Sequence, residues 1–233
     1  MKNIKYKSPY ISKKFSNNRV KWEHLYPSEK DVFEFLFKKY TPKSILDIGC
    51  ACGGLGHILS KKLPNSSYTG IEINDNAAGE AKKYFKKIHN IDFMNFKSNL
   101  KYDLCISLSC IDWQNNFDKM FLKAWEYVSN NGYLFLTARL TNEKSLKNLK
   151  ESFQYINYSK QGEKAPYVVI NKFEILSKIS NLMPEYVYIS GYDGKPSNTA
   201  ITPYKKIFFC GIAIKKSKNN SLKTFFDIPN SFF

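Results

Sequence analysis

The chain has 233 residues, 43% hydrophobic and 16% aromatic, enough to bury the core of one domain. Its formal net charge of +16 attracts anions without defining a site, and 34 of its 36 basic residues are lysine, so the guanidinium readers of bases and phosphates are scarce and a nucleic-acid footprint is disfavoured. No apolar run approaches the ~18 residues that span a bilayer, and the charged N-terminus lacks a signal-peptide core. Five cysteines without an export signal fit reduced thiols in a cytoplasm.

Residues 1–27 mix tyrosine, tryptophan and lysine without periodicity and are expected to pack as an arm or lid over the main unit, 28–216. Pro27-Ser28-Glu29 reads as a helix start with Ser28 as N-cap, and Val32, Phe33, Leu36 and Phe37 form its apolar face up to Thr41-Pro42. Ser44–Ile48 is a short buried strand, followed by a helix from about Gly53 to Leu63. A second buried strand, Tyr68–Ile73, leads into a helix capped by Asn74, and a third strand lies near Ile88–Phe93. Tyr102–Leu108 is a fourth strand, the apolar line from Phe117 to Val128 a helix closed by Asn131-Gly132, and Gly132–Leu140 a fifth strand.

From Thr141 the chain reads first as helical and then as polar up to Pro166. Asn171–Leu182 is a helix, and two final strands, Tyr186–Ser190 and Ile207–Ile214, flank a loop from Gly191 to Tyr204. The alternation implies right-handed crossovers in a doubly wound α/β fold, with a mostly parallel, Rossmann-like sheet of seven strands and an antiparallel hairpin at one edge. The tail, 217–233, either docks on the body or frays.

The stretch Asp47-Ile48-Gly49-Cys50-Ala51-Cys52-Gly53 turns from a strand into a helix through small residues, which would let a ligand lie against backbone N–H groups. The dinucleotide pattern G-x-G-x-x-G is not met, since Ala51 fills the second glycine position and Gly53 comes one residue early. Cys50 and Cys52 have no histidine pair at ligand spacing, so no metal is expected there. Glu72 lies at the end of the second strand, where a carboxylate can accept from both hydroxyls of a ribose.

With that loop and that acid, the stretch Ser44–Leu140 resembles the class I S-adenosylmethionine-dependent methyltransferases, whose first motif is D-x-G-x-G-x-G. The resemblance implies that Asp47, Gly49, Cys50, Ala51 and Gly53 line the methionine and ribose parts of S-adenosylmethionine, and that Glu72 holds the ribose. It further places Ile73 and Phe93 against the adenine, Asp92 on its amino group, and Ser107 at the strand end that faces the transferred methyl. The Asn/Asp-Pro-Pro-Tyr/Phe motif of nucleic-acid amino methyltransferases is missing. Ile111-Asp112-Trp113 maps onto the Leu-Glu-His of small-molecule members, with Trp113 in place of the histidine.

Asp112 is therefore a candidate general base, and His24 in the arm a second. Arg19, Trp22, Tyr26, Trp113 and Tyr192 are the substrate-side candidates. Trp22–Glu29 and Gly191–Ser197 are similar to segments of bacterial methyltransferases of surface-polysaccharide and glycan biosynthesis, which implies a hydroxyl of a sugar, nucleotide-sugar or glycan precursor as acceptor. The alternatives are an RNA or protein methyltransferase working through the basic surface and a non-catalytic cofactor-binding module.

Overall fold

A computed structural model describes residues 3–7, 10–157, 160–217 and 223–233. A short helix α1 (Tyr10–Ser16) and a 3₁₀ turn (Trp22–His24) precede α2 (Pro27–Lys39). Next come β1 (Ser44–Ile48), α3 (Gly54–Lys62), β2 (Ser67–Glu72), α4 (Asp75–Lys82), β3 (Ile88–Asn90), β4 (Tyr102–Ser107), α5 (Phe117–Glu126) and β5 (Val128–Thr141). The second half comprises β6 (Phe153–Tyr155), β7 (Lys164–Pro166), β8 (Ile170–Asn171), α6 (Lys172–Ser180), β9 (Tyr186–Gly194), β10 (Ala200–Ile201), β11 (Ile207–Lys215) and β12 (Phe225–Asp227).

The central sheet runs β3-β2-β1-β4-β5-β11-β9, parallel except for β11, which is antiparallel to both neighbours. Two short strands extend that seven-stranded core: β12 adds parallel to β9 at the outer edge, and β8 pairs with the end of β5. Successive residues of each strand face opposite layers. Leu104, Ile106, Tyr133 and Phe135 pack with Val32, Phe33 and Leu36 of α2 and with Ile58 and Leu59 of α3. Cys105, Leu134 and Leu136 pack on the other side with Phe117, Phe121 and Ala124 of α5 and with Ile175 and Ile179 of α6. Strands covered on both faces read as nearly continuous apolar runs, which is why these elements stand out in the sequence.

Four local expectations are corrected. Helix α2 begins two residues earlier, with Tyr26 rather than Ser28 as N-cap: Pro27 takes the first helical position, and Glu29 accepts the Tyr26 N–H at 3.0 Å. Helix α5 ends at Glu126, and Asn131, at φ 63°, turns the chain inside β5 instead of closing the helix. The expected helix after Thr141 is absent. Leu146 exchanges backbone hydrogen bonds with Val169 (2.7 and 3.0 Å), and the Asn148 side chain accepts from the N–H of Lys150 and Glu151, so the local polar groups stabilise a turn. Beyond that turn the chain builds a small antiparallel sheet, β10-β6-β7. Finally, β9 continues to Gly194, so Tyr192 stands on a strand paired with Phe209 and not on a loop.

The described part of the tail, 223–233, docks: Phe232 is fully buried against Phe208, ring centroids 5.6 Å apart. Residues 218–222 of that tail lie outside the described residues. Among the described residues no helix is long and apolar enough to cross a membrane.

Candidate active site

The strand order reverses between β1 and β4, and in doubly wound sheets ligands bind beyond the carboxyl ends of the strands at that point. A cavity of about 680 Å³ opens there, within the size range of small-molecule sites.

The loop after β1 forms one wall, for reasons that differ from the expected ones. Gly49, at φ +79°, has the Cys110 Sγ where a Cβ would sit (2.3 Å), and Ala51 takes φ +48°. The N–H groups of Gly49 and Cys50 both donate to the Ile71 carbonyl, at 2.8 and 3.0 Å, and that of Gly53 to Cys50. The Ala51 N–H donates to Glu72 Oε2 at 2.9 Å. These four donors are consumed within the protein, so the loop does not offer them to a ligand. Gly53 lies outside the lining, against the Phe85 ring, while Gly49, Cys50 and Ala51 border the cavity.

Three carboxylates share this end. Asp47, at the end of β1, is 3% exposed and accepts the Tyr68 hydroxyl at 2.6 Å. Burial pushes its carboxyl up to about 6, with the Tyr68 bond opposing the shift. Glu72, at the end of β2, accepts from the backbone N–H of Ala51 and of Asn74 (2.8 Å), and burial raises its carboxyl as well. Asp92 accepts from the N–H of Met94 and the Asn3 amide (2.7 Å). Ile73 and Phe93 supply apolar wall beside them. Ser107 is completely buried behind the lining, because its side chain points from β4 into the protein interior.

The other end is walled by two buried ion pairs. Arg139 Nη2 meets Asp112 Oδ2 at 2.9 Å, and its guanidinium also binds the backbone carbonyls of Asp112 and Val168 and lies 3.9 Å from the Tyr167 ring centroid. Burial raises the Asp112 carboxyl and Arg139 opposes the rise. Arg19 forks onto Glu29, with Nη2 at 2.6 Å, and reaches Ser109 at 2.8 Å. Tyr26, Trp113 and Tyr192 also line this end.

Besides Gly53 and Ser107, two further expected residues do not reach the cavity. His24 is exposed on the 3₁₀ turn, and that turn aims Trp22 into the apolar layer between Phe33 and Phe37 (5.9 and 6.3 Å). Sequence reasoning missed Glu29, Arg139, Tyr6, Gln154 and Tyr167, all in the lining. The signal available for Arg139 was its rarity, one of two arginines, at the end of a strand in a lysine-rich chain.

A strap crosses the mouth. Ile4 exchanges hydrogen bonds with the Gln114 side chain (2.7 and 3.1 Å), and the Tyr6 hydroxyl donates to the Trp113 carbonyl at 2.7 Å. The Asn74 amide donates to the Tyr6 carbonyl at 2.8 Å. The arm thus binds loops at both ends of the cavity.

A doubly wound sheet with acids at the ends of β1 and β2 and in the loops after β3 and β4 around one cavity defines an α/β protein of the Rossmann-like methyltransferase class. The sequence profile of a family described as a methyltransferase domain matches residues 22–174, well over half of the chain. The chain belongs to this family, the class I S-adenosylmethionine-dependent methyltransferases.

Among curated relatives, the malonyl-[acyl-carrier protein] O-methyltransferase of Bacillus cereus is 23% identical over 155 residues, 62% of this chain and 57% of that protein. The chain spans about half the length of the curated relatives it matches. Its fold is shared with the plantazolicin methyltransferase BpumL in complex with SAH (TM-score 0.56, 18% identity, 90% of this chain and 91% of that one). It is also shared with TehB from Haemophilus influenzae (TM-score 0.59, 15% identity, 89% and 66%).

Proposed function

We propose that this chain transfers a methyl group from S-adenosylmethionine to a small-molecule acceptor, a hydroxyl of a sugar or glycan precursor being the reading its site supports best. The observation that carries it is the pairing of Asp47 and Glu72 on one cavity rim, each carboxylate already braced by a protein donor.

The residues present fit the cofactor. Glu72 uses one lone pair of each oxygen on a backbone N–H, which leaves acceptor capacity for a pair of ribose hydroxyls. Asp92, beside Ile73 and the buried Phe93, would accept from the adenine amine, and Asp47 with Gly49 to Ala51 would hold the methionine part. When bound, S-adenosylmethionine supplies a methyl group already activated on a sulfonium. The protein's share is then alignment in a dry site and removal of the acceptor's proton. With His24 on the surface, Asp112 is the base candidate in the lining, and general-base assistance of this kind contributes ~10²–10⁴-fold. The arm, 1–27, serves as lid to the unit 28–216, and its strap seals the mouth. Five free thiols support a reducing cytoplasm as its compartment.

Calorimetry with S-adenosylhomocysteine tests the cofactor assignment. Binding to the wild type that weakens ~10-fold or more in Glu72→Gln, where an amide replaces a charged acceptor of two N–H groups, is the expected outcome. No binding to the wild type would end this reading.

A further inference from the structure

The strap does more than cross the mouth, because its first described residue reaches the acid expected on the adenine. Asn3 lines the cavity, and its side-chain amide is engaged on both sides. Nδ2 donates to Asp92 Oδ1 at 2.7 Å and to Met120 Sδ at 3.3 Å, while Oδ1 accepts from the Asn116 amide at 3.2 Å. Donors and acceptors so divided fix one orientation of the amide, with its nitrogen toward the acid. The neighbouring Ile4 anchors the backbone, since its N–H and carbonyl both pair with the buried Gln114 side chain.

Asp92 is held by this contact. It caps the 3₁₀ turn Phe93–Asn95 by accepting the Met94 N–H on Oδ1 at 2.9 Å, and Asn3 meets the same oxygen. A single donor on one oxygen leaves a carboxylate free to swing about it. A second donor, from a segment 89 residues away, restricts the plane to the orientation that both can reach. Oδ2 accepts from no donor among the described residues, and the half-buried Asp92 borders the cavity beside Ile73 and Phe93.

The strap is tied in the same way beside the acid expected on the ribose. The Asn74 N–H donates to Glu72 Oε1 at 2.8 Å, and its side-chain amide donates to the Tyr6 carbonyl at 2.8 Å. An acceptor fixed in advance recognises a donor without the cost of ordering itself, and it rejects an analogue that lacks the donor. The exocyclic amine of adenine is a donor of this kind.

We infer that Asn3 is a positioning residue of the cofactor site: it holds Asp92 so that Oδ2 meets the adenine amine, and selectivity for a 6-aminopurine depends on this contact from the strap. The inference rests on the methyltransferase reading above and deepens its cofactor site.

Calorimetry on the full chain tests it with S-adenosylhomocysteine and with the analogue carrying purine in place of adenine, which lacks only the amine. The wild type should prefer S-adenosylhomocysteine by ~10-fold or more. In Asn3→Ala the preference should fall to ~3-fold or less, with the affinity for the purine analogue and the melting temperature at the wild-type values. Asp92→Ala should erase the preference, and adding Asn3→Ala to it should change the preference no further. Lys5→Ala, which breaks only the exposed ion pair of the strap with Asp75, should leave the preference intact.

The ratio of the two affinities is decisive. An unchanged ratio in Asn3→Ala, including an equal loss for both ligands, would make Asn3 a mere piece of wall and overturn the inference. A wild type that binds both ligands alike, or a ratio lost as fully in Lys5→Ala, would overturn it too. Failure of the wild type to bind S-adenosylhomocysteine at all would instead strike the methyltransferase reading on which it stands.

Discussion

The Tyr68 hydroxyl, rising from β2, donates to Asp47 Oδ2 at the end of the neighbouring β1, 2.6 Å away. This bond favours the charged form of a buried acid of the cavity. Burial alone would favour the neutral carboxyl, and the tyrosine opposes that, leaving Asp47 at about 6.

An ionised Asp47 is needed to accept from a ligand donor, so affinity for S-adenosylhomocysteine should hold above about pH 6 and fall by up to about tenfold per unit below it. In Tyr68→Phe the inflection should move upward, because the bond that favours the carboxylate is gone. The same shift acts on the free protein. Between 3.8 and about 6 the native state holds the Asp47 proton more tightly than the unfolded chain, so this group's contribution to stability declines as pH rises through that window. Calorimetry across the range checks the binding limb, and a pH-independent affinity would contradict it.

The Arg19–Glu29 pair ties the arm to the main unit. The Glu29 side chain is fully buried, and besides Arg19 it accepts the Tyr26 N–H that opens α2. Glu29→Ala leaves a buried guanidinium uncompensated and should cost ~3–5 kcal/mol in denaturant unfolding. The double variant Arg19→Met/Glu29→Met should cost clearly less, since no lone charge remains. Equal losses in the two would show that the cap, and not the ion pair, carries the effect.

How much of this could be read from the sequence depended on how local each feature is. β1, β2 and β4 are short apolar runs because both sheet faces are covered, and their ends locate Asp47 and Glu72 without further information. The three-stranded sheet was illegible because Gln154 pairs with Ala200, far along the chain, and its strands are two or three residues long. The ion pairs of Arg19 and Arg139 bring together residues that show no shared spacing. The glycine loop was found for a partly wrong reason: Gly49 is needed by Cys110, and Gly53 faces Phe85, so close protein packing imitates the pattern of a ligand-cradling turn.

The tail gives a stability prediction of its own. Phe232 is fully buried against Phe208 and lies under the Lys172 ammonium, 5.3 Å from the ring centroid, whereas Phe225 on β12 is 65% exposed. Phe232→Ala should cost ~3–5 kcal/mol and Phe225→Ala no more than ~0.5 kcal/mol, compared by equilibrium denaturation. Similar small losses in both would mean that the docking contributes little in solution.

Arg139 governs Asp112 from one side. It holds Oδ2 at 2.9 Å and binds the Asp112 carbonyl as well, so it both orients the carboxylate and opposes the rise that burial imposes on it. If Asp112 takes the acceptor's proton, methyl transfer must fail on the acid side, where the carboxylate is protonated. Arg139→Met removes the positive neighbour, so the acid limb of the rate profile should move to higher pH, with the alkaline plateau reduced by the loss of orientation. Asp112→Asn should abolish that limb and lower kcat by ~10²-fold or more while cofactor affinity is retained. The discriminating measurement is kcat against pH for all three proteins. An acid limb that persists unchanged in Asp112→Asn would assign it to another group and remove Asp112 as the base, leaving its pair with Arg139 a purely structural tie between β5 and the loop after β4.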